Sequence, residues 1–421
     1  MTLRRCLELA LRHYPRIQEA LANARASREA IDIAHTAPYT DFSVKAAIAP
    51  APRVNGTSQF SQTSDESAGL DLGVAWRVGI EGMIPLWTFG KITNTWDAVE
   101  AGAKAAEHGV DKERNELRLA VRRTYYGAKA ARETLTIVRD EVASIDRYIP
   151  ALERKVATGD ADEIDLLKLR MERAELEARD AEARMQEAKA LAGLGFLTGL
   201  GSKVAVSTEP LVRVKHELGA LTRYLIAARL YRPEVNIVRA GILAHEAQVR
   251  LERARYFPDF GIGVNAHYQQ TPEQPDDRNP YTSGYADQLG YGAGLVLTYK
   301  ADFLPQSARV ARAEAELEAI RASERFALGS VGLEVEEAFR EAEAAKRRMD
   351  AWTRASELAE RWLSQVEQRI EAGTFDEKEV LEPTREVARK RFGRLGAVLE
   401  YNVALAKLAQ ATGWEQGISD E

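Results

Sequence analysis

Residues Lys155–Leu167 read KVATGDADEIDLL, and residues Arg369–Leu381 read RIEAGTFDEKEVL. Gly159, Asp162, Glu163 and Leu167 recur as Gly373, Asp376, Glu377 and Leu381 at a constant offset of 214. An acidic glycine turn written twice points to an internal duplication, which sets the architecture before any other feature. Further matches keep the same order. Pro15 answers Pro233, Asp41-Phe42 answers Asp259-Phe260, and FLTGL (196–200) answers QATGW (410–414). The chain therefore divides into halves of 1–220 and 221–421.

Each half is predicted to follow one plan of helix, two strands, long helix, hairpin turn and helix. In the first half the elements fall at Leu3–Ala37, about 41–50, about 71–85, about 91–158 and 163–197, with the turn at 156–166. In the second they fall at 222–255, 259–269, 288–300, 305–372 and 377–411, with the turn at 370–380. At 1.5 Å per residue the long helices reach roughly 100 Å and the shorter ones roughly 50 Å, so two short helices laid end to end match one long one. Antiparallel packing in a long cylinder follows. Val142, Ile145, Ile149, Leu152 and Val156, with Ala359, Leu363, Val366 and Ile370 in the other half, keep the 3-4 rhythm of a coiled-coil seam. Pro150 and Pro383 are expected to bend their helices.

Within the turns, Gly159 and Gly373 follow helix C-termini, where glycine takes the left-handed conformation without a Cβ penalty. Asp160 with Glu163, and Thr374 with Glu377, are candidate capping boxes. Asp165 and Glu379 come after these caps and are not needed by them.

Composition narrows the function. The net charge of −6 argues against a nucleic-acid binder. Cys6 is the only cysteine, which excludes an internal disulfide and a cysteine metal cluster, and its surroundings read as a helix with a buried thiol. The six histidines lack metal-ligand spacing, and no phosphate loop, nucleophile elbow or paired catalytic set is present. GLGFLTGLG from Gly193 closes a helix instead of following a strand, so it reads as helix termination. Neither an enzyme nor a cofactor is expected.

No run of 18 apolar residues can form a transmembrane helix, but a transmembrane β-barrel shows itself by alternation. Leu72, Val74, Trp76, Val78 and Ile80 alternate with Gly73, Ala75, Arg77, Gly79 and Glu81. Phe260, Ile262, Val264, Ala266 and Tyr268 alternate with Gly261, Gly263, Asn265, His267 and Gln269. The segments at Phe42 and Leu289 behave alike. All four are about 9–11 residues, the length of a tilted bilayer-spanning strand. Trp87, Tyr268, Tyr291 and Tyr299 lie toward strand ends as in aromatic girdles, and the inserts Pro52–Gly69 and Gln270–Asp287 are polar like external loops. Arg77, Glu81, Asn265 and His267 would line the lumen. Four strands cannot close a barrel, so strands in a membrane require an oligomer. Three copies give twelve strands; two or four also satisfy the rule.

Six stretches in this order are similar to the TolC-like outer-membrane efflux proteins over nearly the whole chain: MTLRRCLELALRHYP, ALTRYLIAARLYRPEV, FPDFGIGV, the two glycine turns and the closing LAQATG. The resemblance implies an α+β membrane protein, with a long antiparallel α-helical coiled-coil barrel and a transmembrane β-barrel built from four strands per protomer of a homotrimer. It implies a bacterial outer-membrane site with the helices in the periplasm, and a connection between the halves at Gly201–Leu218. In function it implies a passive exit duct for drugs or secreted substrates, joined to an inner-membrane transporter by a periplasmic adaptor (a membrane fusion protein). The opening residues are not a signal peptide, which is expected if the numbering starts at a mature or trimmed chain. Carried onto this sequence, the family's gate carboxylates fall on Asp165, Glu379 and Glu382, with a Lys168–Glu382 link between neighbouring hairpins in the closed state. Gly159, Asp160, Asp162, Glu163, Gly373, Thr374, Asp376 and Glu377 fall on the hairpin tips that meet the adaptor. A soluble coiled-coil scaffold and a periplasmic adaptor are the alternatives that the pattern leaves.

Overall fold

Pro15 and Pro233 each stand at the first residue of a helix, and they divide what the pattern reads as two continuous helices. The computed structural model describes residues 1–55, 67–270, 287–375 and 377–415. The first half contains α1 (Leu3–His13), α2 (Pro15–Thr36), β1 (Phe42–Asn55), β2 (Ser67–Trp87), α3 (Lys91–Thr158) and α4 (Glu163–Thr198). The second contains α5 (Leu221–Tyr231), α6 (Pro233–Ala254), β3 (Asp259–Gln270), β4 (Asp287–Thr298), α7 (Phe303–Glu371) and α8 (Leu381–Thr412). The expected helices Leu3–Ala37 and 222–255 are thus each broken in two. Tyr14 (φ −69°, ψ 124°) and Arg232 (φ −71°, ψ 120°) are extended, because a following proline ring disfavours the helical conformation. Pro150 does not interrupt α3, which runs unbroken for 68 residues. Pro383 is the third residue of α8, in the first turn, where a missing N–H costs least.

Two compact units are formed. One comprises Met1–Ala24, Ala105–Arg239 and Ser323–Glu421. Its core is Val121, Leu194, Tyr224, Val335, Leu405 and Leu408, all almost fully buried, with Cys6 and Ala10 of α1 packed among them. Burial pushes the Cys6 thiol up from its ordinary value, which keeps it protonated. A second apolar cluster joins Val138 and Ile145 of α3 to Leu169 and Leu176 of α4. The stretch between α4 and α5 carries little regular structure and is held by side chains. Buried Asn402 accepts from the Val214 N–H and donates to the Val212 carbonyl, both at 2.9 Å. Tyr401 donates to the His216 carbonyl at 2.9 Å, and the Leu211 N–H donates to Glu133 at 2.7 Å. These bonds satisfy backbone groups that have no ladder to join.

The other unit comprises Arg25–Lys104 and Ala240–Ala322. It holds one antiparallel sheet in the order β1-β2-β3-β4. β1 and β2 are longer than expected, at 14 and 21 residues, because pairing continues past a bulge at Pro52/Val54 to Asn55↔Ser67. A ladder needs only backbone groups, so it can outrun the apolar stretch that marks a strand in sequence. β4 ends at Thr298, leaving Tyr299 just outside the sheet.

Candidate functional site

At the two hairpin turns, α3 and α7 end in the same way. The Gly159 N–H donates to Val156 O at 3.1 Å and the Asp160 N–H to Lys155 O at 2.8 Å. The Gly373 N–H donates to Ile370 O and the Thr374 N–H to Arg369 O, both at 2.9 Å. This paired closure requires a left-handed residue, and Gly159 and Gly373 have φ of +79° and +71°.

The structure corrects the capping assignment. Asp160 and Thr374 belong to the C-terminal closures: Asp160 accepts from the Thr158 hydroxyl at 2.7 Å, and the Thr374 hydroxyl donates to Arg369 O at 2.9 Å. The N-cap of α4 is Asp162, whose Oδ1 accepts from the Ile164 N–H at 2.9 Å. Glu163 is then the first helical residue, and Asp165 stands three positions after the cap. There its negative charge complements the helix N-terminus, so Asp165 already has a structural use. At the second hairpin a 3-10 turn over Glu377–Val380 replaces a side-chain cap, and α8 starts behind Val380 without one. Glu379 lies exposed on that turn, and Glu382 is in the first turn of α8. Asp376 lies outside the described residues.

Lys168 pairs with Asp165 on its own helix at 3.1 Å, and Glu382 pairs with Arg385 at 3.4 Å. A Lys168–Glu382 link is therefore not made within the chain; one helical turn brings each residue a nearer partner. The ion pair that joins α4 to α8 is Glu172–Arg385, with Arg385 Nε at 2.8 Å from both carboxylate oxygens and Nη2 at 2.7 Å from Oε2. It borders a cavity of about 220 Å³ between α3, α4 and α8, lined also by Glu141. Burial pushes the Glu141 carboxyl up to about 7; neighbouring Glu172 adds to the shift, and Arg391 and Arg385 oppose it. Sequence reading missed this group. Its position gave only a weak signal: Glu141 precedes Val142 of the apolar seam, three residues after Val138 and four before Ile145.

On the sheet, residues directly opposite share a face. Arg77 faces Gln269, Glu81 faces Asn265, and Gly79 lies between opposed Lys45 and His267. Arg77, Glu81, Asn265 and His267 are thereby gathered on one polar face, together with Lys45, which pairs with Glu81. A Cβ at Gly290 would meet the His267 ring at 2.4 Å, so this glycine provides the space the imidazole occupies. The opposite face is apolar and exposed, with Ile48 at 78% and Leu295 at 85%. Aromatic side chains mark both ends of it. Phe89 stacks on Phe257 at 5.0 Å near Trp87 and Phe260, and Trp76 packs against Tyr268 at 5.2 Å. From Phe260 to Tyr268 the strand covers roughly 26 Å.

The family model of the outer membrane efflux protein matches residues 6–200 and 225–414, one stretch in each half. The chain belongs to that family. Among relatives of this efflux protein, Protein CyaE of Bordetella pertussis (strain Tohama I / ATCC BAA-589 / NCTC 13251) is 25% identical over 352 residues, covering 78% of this chain and 71% of that one. The open state of the MtrE outer membrane channel of Neisseria gonorrhoeae superposes with a TM-score of 0.77 at 17% identity, over 100% of this chain and 90% of that one. The CmeC outer membrane channel of Campylobacter jejuni gives 0.75 at 16% identity, over 100% and 86%. The efflux protein therefore has the fold of the outer-membrane channels, a helical part with a small antiparallel β domain. Family membership also sets aside the soluble scaffold and the periplasmic adaptor. No helix among the described residues is long and apolar enough to cross a membrane. A β-barrel crosses a membrane without such a helix.

Proposed function

We propose that the chain is one protomer of a trimeric exit duct in the outer membrane, passively conducting drugs or secreted substrates delivered by an inner-membrane transporter and a periplasmic adaptor. One observation carries this reading: a four-stranded sheet with two open edges, β1 and β4, and an exposed apolar face. Unpaired edges cannot face lipid, and four strands cannot close. Joining β4 of one copy to β1 of the next satisfies both conditions, and three copies make a twelve-stranded barrel. The aromatic ends of the apolar face are separated by about the height of a barrel's lipid-facing band, ~25 Å. In this arrangement Arg77, Glu81, Asn265 and His267 line the lumen. The hairpin tips, including Gly159, Asp160, Asp162, Glu163, Gly373 and Thr374, form the periplasmic end that meets the adaptor. Asp165, Glu379 and Glu382 ring its mouth, where like charges gathered round an axis favour cations.

Native mass spectrometry of the detergent-extracted protein tests the assembly: a trimer is expected, and a monomer at working concentration defeats the reading. Planar-bilayer recording tests the mouth. Asp165→Asn with Glu379→Gln is expected to change conductance and cation preference. An unchanged current removes the gate assignment.

A further inference from the structure

Glu141 is 9% exposed and makes no hydrogen bond or ion pair among the described residues, yet its carboxyl lines an open cavity. The groups around it are charged. From α4 come Lys168, Glu172, Glu175 and Arg179; from α8 come Arg385 and Arg389. Arg391 of α8 also acts on Glu141 and is itself held by Glu360 of α7 at 3.0 Å. Arg385, the cation engaged by Glu172, lines the same cavity. Two carboxyls thus share access to one guanidinium, and only one of them has it. The other can remain unpaired only while neutral, because a buried anion without a partner is strongly disfavoured.

We propose that Glu141 is a proton-operated latch between the two hairpins of a protomer: protonated, it leaves Glu172–Arg385 intact and α4 tied to α8; ionised, it draws Arg385 out of that pair and releases α8. The tie is then strong in acid and weak in alkali. Arg179, set over the Phe392 ring at 5.0 Å, is a second contact between α4 and α8 and loosens with it. The latch lies on the helical side of the tips and is distinct from the carboxylates at the mouth. Its consequence for flow rests on the channel reading, but the movement itself does not.

Hydrogen exchange on the full chain in detergent, at pH about 5.5 and about 8.5, tests it. Wild type and Glu141→Gln should protect residues 168–176 and 382–392 equally in acid. In alkali the wild type should exchange there at least about fivefold faster than the variant. Glu172→Gln should be loose at both values. Equal exchange of wild type and Glu141→Gln in alkali, or a difference persisting in acid, overturns the latch. A measurement on the unmodified protein removes dependence on the variants. The infrared difference spectrum between the two pH values must show a protonated carboxyl band lost in alkali, and its absence also overturns the proposal. Conductance separates the two ideas. No current from any variant, with the exchange difference intact, defeats the channel and leaves the latch. Current without an exchange difference does the reverse.

Discussion

Asp160 and Asp162 stand two residues apart and act on different helices. Asp160 finishes α3 by accepting from Thr158, whereas Asp162 starts α4 by accepting from the Ile164 N–H. Asp162→Ala should therefore cost about 1 kcal/mol of helix stability, seen as a lower thermal midpoint and faster exchange at 164–168. Asp160→Ala should change that midpoint far less. Each of these acids stands three residues before another acid, Asp160 before Glu163 and Asp162 before Asp165, so spacing alone does not choose the cap. The Ile164 N–H, bonded to Asp162 and not to Asp160, decides it. Glu141 poses a different problem at the same scale. Its carboxyl binds its proton more tightly in the folded chain (about 7) than at its ordinary value of 4.5. The folded state therefore carries the extra proton, and stability falls as pH rises from 4.5 to about 7, then levels off. At about 1.4 kcal/mol per pH unit, the effect is on the order of 3 kcal/mol. Glu141→Gln should flatten this fall, so that thermal unfolding of the variant shows a smaller decline between pH 5 and 8.

Among the elements, the connection between α4 and α5 is where sequence reading had least to work with. It has no periodicity, and its backbone is held by side chains from elsewhere in the chain. Asn402 is 1% exposed and bonds both ways to Val212 and Val214. Asn402→Leu should leave a donor and an acceptor unpaired and cost on the order of 2–4 kcal/mol, measured as a shift in denaturant midpoint. Asn402 lies in the ordinary-looking stretch LEYNVAL, 188 residues from Val214, so its role could not be seen locally. The helix breaks are the opposite case. Pro15 and Pro233 act locally, holding Tyr14 and Arg232 extended just before them. The helix ends at Gly199 and Gly413 are local too, and both glycines are left-handed, with φ of +73° and +66°. At Gly413 an added Cβ would come 2.6 Å from the Tyr231 carbonyl oxygen, so backbone from the other end of the repeat fits against it.

For the whole molecule, the exposed apolar face decides the environment. Leu295→Arg places a charge on that face. If lipid covers it near the bilayer centre, the variant should lose roughly 2–4 kcal/mol. On the proposed trimeric duct, the loss is read as a less heat-resistant trimer on unboiled gels and a lower yield in the outer membrane. Gly292→Ala, on the polar face beside Asn265, is the control and should assemble normally. Equal behaviour of Leu295→Arg and wild type would mean that the apolar face is not lipid-covered. The alternation of β2 and β3 placed Arg77, Glu81, Asn265 and His267 on one face from sequence, because a period of two is a property of the strand itself. The pairing of β2 with β3, and the register of every ladder, was not readable, since ladder bonds use the same backbone groups at every residue.

The sequence by itself determined the left-handed glycine turns at Gly159 and Gly373 and the two-faced strands. Each of these depends on neighbours within a few residues along the chain. Tertiary structure alone decided which acid caps α4, that Glu172 and Arg385 join the hairpins, that Glu141 stands unpaired in a cavity, and that Asn402 holds the connection. Those outcomes depend on which distant side chains share a low-dielectric space, and there burial and competition for one partner determine charge and bonding.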